Sequence, residues 1–134
     1  NSAISAGSIG LPDREGYIMT LQEFYDKTGG DYEEVLDRLR KPERIRKYLK
    51  LFEEDDNYEK LRSAVRSKDC KTAFEASHNL KGACLNLGLE NLREAASTIC
   101  EEYRHGNPGP DVEKQLADVT DAYMQAMVCI KELA

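Results

Sequence analysis

Apolar residues recur at alternating steps of three and four along most of the second half of the chain. This spacing is typical of amphipathic helices whose buried faces pack at about 20° to one another in a bundle. Three helices are predicted, from about Cys70 to Leu87, from Leu89 to about His105, and from just after Pro110 onward. Their predicted buried positions are Ala73, Ser77, Leu80, Cys84 and Leu87; Leu89, Leu92, Ala96, Ile99 and Tyr103; and Val112, Leu116, Val119, Tyr123, Ala126, Ile130 and Leu133.

The segment 43–67 is also predicted to be helical, but its apolar stripe changes phase. One stripe contains Ile45, Tyr48, Leu49 and Phe52, and the other contains Tyr58, Leu61 and Val65. The segment is therefore either one kinked helix or two helices broken near Asp56. Short connections at Gly88 and across 106–110 make neighbouring helices antiparallel. The predicted fold is all-α, an up-and-down antiparallel four-helix bundle over residues 42–134, and no strand pattern competes with it.

A short helical extension is predicted before the bundle, over residues 13–41. Thr20 followed by Glu23 is typical of a capping box, and the helix that it opens should end at the glycine pair before Asp31. Asp31 can then cap a second short helix. Residues 1–12, rich in serine, glycine and alanine, are expected to be a mobile tail.

Composition excludes several classes of function. The 134 residues carry 19 basic and 25 acidic side chains without a dense basic run, which argues against a nucleic-acid partner. No apolar stretch approaches the roughly 20 residues of a membrane span, and no signal peptide is evident, so we expect a cytoplasmic protein. Four cysteines without a Cys-x-x-Cys pair and two distant histidines predict free thiols and no metal site.

The segment His78-Asn79-Leu80-Lys81-Gly82 is the candidate for chemistry. On a helical wheel His78 lies about 160° from Leu80, so its side chain should face water. Lys81 follows one turn later, and a histidine with a lysine on an exposed face is suited to chemistry with an anion. Gly82 lowers helix stability by roughly 1 kcal/mol relative to alanine. These features predict a site centred on His78.

Residues 76–89 resemble the histidine-containing phosphotransfer (HPt) family. Members carry His-x-x-Lys-Gly, a small-residue turn and an Asn-Leu-Gly-Leu-like junction into the next helix, and the junction here is Asn86-Leu87-Gly88-Leu89. The resemblance extends through Cys100 and more loosely over about 43–134. It implies that the histidine receives a phosphoryl group from a receiver-domain aspartate and passes it to another receiver.

The resemblance also implies a role for each residue of the motif. His78 would carry the phosphoryl group, Lys81 would contact it, and Gly82 would leave room for it. An imidazole that is largely neutral near pH 7 supplies the nucleophilic nitrogen. No cofactor is expected on this chain, and any Mg²⁺ would belong to the acidic pocket of the receiver.

Other residues flank the predicted site. Phe74 and Leu85 lie on the same wet side as the histidine and are predicted to form a docking patch with Glu75 at its rim, although each apolar residue could instead pack at a bundle boundary. Arg104 on the next helix is a candidate phosphate contact, or it complements the helix dipole. Many family members place a glutamine 22 positions after the histidine, where this chain has Cys100, which offers only a weak donor.

No nucleotide-binding loop, paired-carboxylate site or nucleophile triad can be assembled, so the chain is predicted to be a phosphoryl carrier without kinase activity. We expect a monomer whose partners are receiver domains of response regulators or hybrid kinases. One alternative is that the domain is a fragment of a hybrid sensor or chemotaxis-type histidine kinase. Another is a structural or adaptor bundle that is never phosphorylated.

Overall fold

The computed structural model describes residues 17–133, so the tail predicted at 1–12 lies outside the described residues. The helices of the described part are α1 (Leu21–Thr28), α2 (Tyr32–Leu39), α3 (Pro42–Phe52), α4 (Asn57–Ser67), α5 (Cys70–Leu87), α6 (Glu90–Tyr103) and α7 (Val112–Lys131). The prediction of an all-α fold is confirmed. No helix in this part of the chain is long and apolar enough to cross a membrane.

Helices α4 to α7 form an antiparallel four-helix bundle. Each packs against the next along the chain, and α7 returns to contact α4. The buried positions predicted on α5 and α6 are all buried, whereas Val112 and Tyr123 on α7 are only half-buried. Helix α6 begins one residue later than predicted, because Leu89 caps it, and the helix ends at Tyr103 instead of His105.

The segment 43–67 is two helices. The backbone leaves the helix after Phe52, and the Asp55 carboxylate accepts hydrogen bonds from the backbone N–H and the side-chain amide of Asn57 where α4 begins. Helix α3 packs against α2 and α5, outside the ring formed by α4 to α7. Its different orientation explains the phase change, and Tyr48, which the sequence placed in the buried stripe, is 37% exposed.

The predicted caps of the extension are confirmed. Thr20 and Glu23 form a capping box at α1, and the Asp31 carboxylate accepts from the backbone N–H of Glu34 at α2. The Tyr25 hydroxyl donates to the carbonyl of Leu87 at 2.7 Å, at the end of α5. The extension therefore lies against the junction between α5 and α6.

The backbone of the extension approaches the backbone of the junction closely at two glycines. Gly30 lies so close to the carbonyl of Gly88 that a Cβ would collide with it, and a Cβ on Gly88 would meet Val35. Gly88 also has φ +74°, in the left-handed region that favours glycine. The Arg38 guanidinium donates to the carbonyls of Asn86 at 2.9 Å and Leu85 at 3.2 Å, which α5 leaves without helical partners.

The two ends of the described chain meet at the same end of the bundle. The backbone N–H of Met19 donates to the carbonyl of Glu132 at 2.7 Å, and Met19 forms an isolated β-bridge with Leu133. Helix α1 packs against α7 beside this bridge. The opposite end of the bundle holds the 104–111 loop.

Candidate functional site

Helix α5 holds His78 near its middle with the side chain exposed. The N-terminus of α5 is capped by Asp69, whose carboxylate accepts a hydrogen bond from the backbone N–H of Thr72 at 3.1 Å. On the opposite face Ser77 is fully buried and satisfies its hydroxyl by donating to the carbonyl of Ala73 at 2.8 Å. Burial of this face fixes the rotation of α5, and the rotation puts His78 in solvent.

The imidazole of His78 is supported by one aromatic neighbour. Its ring lies 6.1 Å from the ring of Phe74, centroid to centroid, with an interplanar angle of 20°. No described residue makes a hydrogen bond to the imidazole. Both ring nitrogens are therefore open to a reacting group.

Phe74 is half-buried and packs against the core, which differs from the exposed position expected on the helical wheel. Arg104, the C-cap residue of α6, also lies against it, with its guanidinium carbon 5.6 Å from the centroid of the Phe74 ring. A cation over an aromatic face is attracted by the electron density of the ring. His78 and Arg104 thus each stack on the ring of Phe74, and the three side chains form a stack centred on Phe74.

Arg104 is also held by a carboxylate of its own helix. Its Nε donates to both carboxylate oxygens of Glu101 at 2.9 Å. This hydrogen bond lowers the pKa of Glu101, and the charges of Lys81 and His105 lower it further. The Arg104 guanidinium is therefore placed between the ring of Phe74 and the carboxylate of Glu101, and it contacts both.

Lys81 and Gly82 complete the motif on the exposed side of α5. Lys81 is half-buried and forms no salt bridge within 4 Å with any described residue, although its charge acts on the carboxylate of Glu101. Gly82 is exposed, and a Cβ built on it would have no atom within 4 Å. The surface next to His78 is flat and open at this position.

Cys100 is 1% exposed and lies in the core. Its thiol is not hydrogen-bonded to His78, so the donor that many family members place at this position has no counterpart here. The neighbour of the imidazole is instead the ring of Phe74, which Arg104 contacts in turn. Sequence reasoning missed this stack, because its members lie on two helices and no spacing along one helix reveals them.

The residues predicted to dock a partner surround His78 unevenly. Leu85 is 59% exposed, two turns beyond the histidine. Glu75 is exposed and its carboxylate lies 3.8 Å from the ammonium of Lys71. Sequence reasoning missed Leu51, which is 55% exposed on α3 beside Tyr48 and adds apolar surface next to the end of α5. The extra surface could not be found from α5 alone because α3 supplies it.

The described residues contain no group of three or more histidine, cysteine, aspartate or glutamate side chains that could hold a metal ion. All four cysteines are free, and only Cys70 is not buried.

Comparison with known proteins identifies the family. The sequence model of the Hpt domain matches residues 47–128, more than half of the chain, a span that runs from α3 into α7 and includes the whole site. A search of curated proteins and a search of solved structures each found no match. With an antiparallel helical bundle and an exposed histidine followed by Lys81 and Gly82, the chain belongs to the Hpt domain family.

Proposed function

We propose that this protein is a phosphoryl carrier of a two-component phosphorelay, and that His78 is the residue that carries the group. The observation that supports this most strongly is the exposed, unbonded imidazole in the middle of α5 within the matched Hpt domain. A carrier must present its histidine to the active site of another protein, which requires exposure and little surrounding bulk. Gly82 meets the second requirement beside His78.

The transfer itself needs little from this chain. A lone pair on the His78 ring nitrogen farther from the backbone attacks the phosphorus of a receiver aspartyl phosphate. A P–N bond forms, the P–O bond to the aspartate breaks, and the aspartate leaves as a carboxylate. The Lys81 ammonium stabilises the phosphoryl oxygens by a charge-assisted hydrogen bond. The second receiver reverses these steps on its own aspartate.

The second phosphate contact that we propose is Arg104. Its guanidinium is 42% exposed and lies over the ring of Phe74, whose other neighbour is the His78 imidazole. We propose that a change of side-chain rotamer brings one of its N–H groups to the phosphoryl group. Glu101 holds the guanidinium in the unphosphorylated protein. The dianionic phosphoryl group would compete with this single carboxylate.

Docking is proposed to use the apolar surface around the histidine, with Leu85 exposed at one side and Phe74 beneath the imidazole, while Glu75 lies at the rim. Small apolar patches with charged rims are typical of weak signalling contacts. We further propose that the protein acts without autonomous kinase activity and that any Mg²⁺ is bound by the receiver. In the alternative, the domain is a fragment of a hybrid sensor or chemotaxis-type histidine kinase, and an ATP-binding domain phosphorylates the same His78.

The test is phosphoryl transfer from receiver domains phosphorylated with acetyl phosphate, followed by phosphosite mapping. We expect label on His78 of the parent protein, no label on His78→Gln, and parent-level label on the matched control His105→Gln. Incubation with ATP alone should give no label. Label that persists in His78→Gln would exclude this assignment, and an unlabelled parent with every receiver would favour the adaptor alternative.

A further inference from the structure

A cavity of about 340 Å³ lies at the end of the bundle away from the extension, where α4 and α6 end and α5 and α7 begin. Its volume is within the range of pockets that hold small molecules, roughly 300–1,000 Å³. It is lined by Val65, Lys68, Cys70, Tyr103, Asn107, Pro108, Gly109, Val112 and Glu113. None of these residues belongs to the proposed phosphotransfer site.

The polar group that points to a ligand is the hydroxyl of Tyr103. The residue is 4% exposed, and its hydroxyl makes no hydrogen bond with any described residue. Among described residues, the fully buried side-chain N and O atoms without a partner are Arg46 Nε and Gln115 Oε1. The Tyr103 hydroxyl is not one of them, so it contacts the open space of the cavity that the residue lines. Burial raises the pKa of Tyr103, which keeps the hydroxyl protonated as a donor.

The wall of the cavity is built before any ligand arrives. The Glu102 carboxylate accepts from the backbone N–H of Gly109 at 2.6 Å and from the side-chain amide of Gln115 at 2.9 Å, which ties the loop to both α6 and α7. The Cys70 thiol donates to the side-chain carbonyl of Asn107 at 3.5 Å across the cavity edge. A preformed pocket loses less entropy when it binds a ligand.

The lining selects the chemistry of the occupant. Val65, Val112, Pro108 and the ring of Tyr103 present apolar surface. Lys68 is the cation and Glu113 the anion of the lining, so their charges cancel and disfavour a charged ligand. We propose that this cavity binds a small neutral aromatic molecule with a hydrogen-bond acceptor, which the Tyr103 hydroxyl recognises. The proposal is independent of phosphotransfer by His78.

Cys70 provides the test, because its thiol lies at the cavity and is the one cysteine of the four that is not buried. The probe is the mixed disulfide of benzoylcysteamine with cysteamine, which carries a neutral ring and a carbonyl acceptor. The Cys70 thiolate attacks the disulfide, forms an S–S bond to the benzoyl arm, and releases cysteamine, which takes up the proton. The matched probe is the mixed disulfide of acetylcysteamine with cysteamine, which keeps the carbonyl but lacks the ring and reacts by the same exchange.

Intact-mass spectrometry over a series of β-mercaptoethanol concentrations measures how strongly each label is retained. In the parent, the β-mercaptoethanol concentration that removes half of the benzoyl label should be about tenfold higher than the one that removes half of the acetyl label. The reason is that the aromatic ring leaves water when it enters the cavity, which stabilises the labelled protein. Tyr103→Phe should reduce this ratio several-fold, and Val112→Trp, which fills the cavity, should reduce it to about one. If Val112→Trp fails to fold by circular dichroism, Tyr103→Phe still decides the point.

The matched control moves the thiol to the surface, as Ser63→Cys in a Cys70→Ser background. Ser63 is exposed on α4 and does not line the cavity. The two labels should there be retained equally. Equal retention in the parent, or the same tenfold ratio at position 63, would overturn the proposal.

Discussion

At the scale of residues, Phe74 contributes both to the stability of the bundle and to the surface around His78. Phe74 fills the groove between α5 and α6 and also supports the imidazole. Leu85 is 59% exposed, so its side chain contributes little to the packing of the bundle. Truncating the two residues should therefore separate stability from docking.

Phe74→Ala is expected to lower the free energy of unfolding by about 1–3 kcal/mol, less than the 3–5 kcal/mol of a fully buried phenylalanine. Leu85→Ala should change it by less than about 0.5 kcal/mol because the side chain is exposed. Both variants should weaken receiver binding more than the rim control Glu75→Ala. Chemical denaturation and receiver titration measure the two effects, and a Leu85→Ala variant that binds normally would remove this residue from the docking surface.

A side chain at position 82 should stabilise the folded protein but hinder access of a receiver to His78. Gly82→Ala should raise the free energy of unfolding by about 0.5–1 kcal/mol, since a Cβ meets nothing and alanine is the better helix former. Gly82→Gln should slow transfer at least several-fold while the bundle stays folded. Ala117→Gln, an exposed change on α7, is the control that should transfer at the parent rate. Equal rates for the two glutamine variants would show that access at position 82 is unimportant.

Much of the candidate site could be predicted from residues on a single helix. Burial of Leu80 and its neighbours fixes one face of α5, so the exposure of His78 and the open space at Gly82 follow from helical geometry. For Phe74 the sequence left two positions open, an exposed docking residue or a residue at a bundle boundary, and its half-buried packing against the core agrees with the second. The helical wheel of α5 alone could not decide between them, because neighbouring helices supply the covering side chains. The roles of Lys81 and Arg104 toward phosphate stay predictions.

At the scale of elements, the extension formed by α1 and α2 completes the C-terminal end of α5. The Tyr25 hydroxyl and the Arg38 guanidinium satisfy carbonyls at residues 85–87 that no turn of the helix can satisfy. These contacts hold the helix end next to Leu85. The extension thereby stabilises a part of the proposed docking surface.

Tyr25→Phe tests this arrangement by removing one oxygen. The free energy of unfolding should fall by about 1–2 kcal/mol because the buried carbonyl of Leu87 loses its donor. The matched control is Tyr32→Phe, since Tyr32 stacks on Tyr25 at 6.0 Å but its hydroxyl makes no hydrogen bond with a described residue. Urea denaturation should show little change for the control. Equal losses in the two variants would mean that the hydroxyl of Tyr25 adds nothing specific.

The break between α3 and α4 shows what an apolar pattern leaves open. Two stripes out of phase are compatible with a kink or with two helices, and the sequence prediction kept both. Helix α3 ends at Phe52, and the backbone N–H of Asp55 donates to the carbonyl of Phe52 in a tight turn. The Asp55 carboxylate then accepts from the N–H of Asn57 where α4 begins. The position of the extension could not be predicted either, because Tyr25 and Leu87 meet across 62 residues of sequence.

At the scale of the whole molecule, the carboxylates with shifted pKa values all shift downward. Hydrogen bonds lower the pKa of Glu23, Asp69, Glu101 and Glu102 in the folded protein. Around and below the usual values of 4.5 for glutamate and 3.8 for aspartate, the unfolded chain therefore binds more protons than the folded chain. The contribution of these groups is present above those values and is lost as the pH falls through the lower folded-state values.

Glu102→Gln should therefore flatten the decline of stability below about pH 4.5, since the variant lacks one of the groups that must be protonated on unfolding in acid. Glu94→Gln is the control, because the carboxylate of Glu94 makes no hydrogen bond with a described residue. Thermal melts from pH 7 to pH 3 give the two slopes. A Glu102→Gln slope equal to the parent slope would contradict the linkage.

The hydrogen bond between Met19 and Glu132 has a mechanical consequence. Tension applied to the chain through tethers at residues 17 and 133 falls first on this contact. Because the two segments run parallel at the bridge between Met19 and Leu133, the tension pulls them in opposite directions along their own length and loads the contact in shear. The contact should therefore hold α1 and the end of α7 in place at the start of the extension, and these two helices should separate from the bundle only after it breaks.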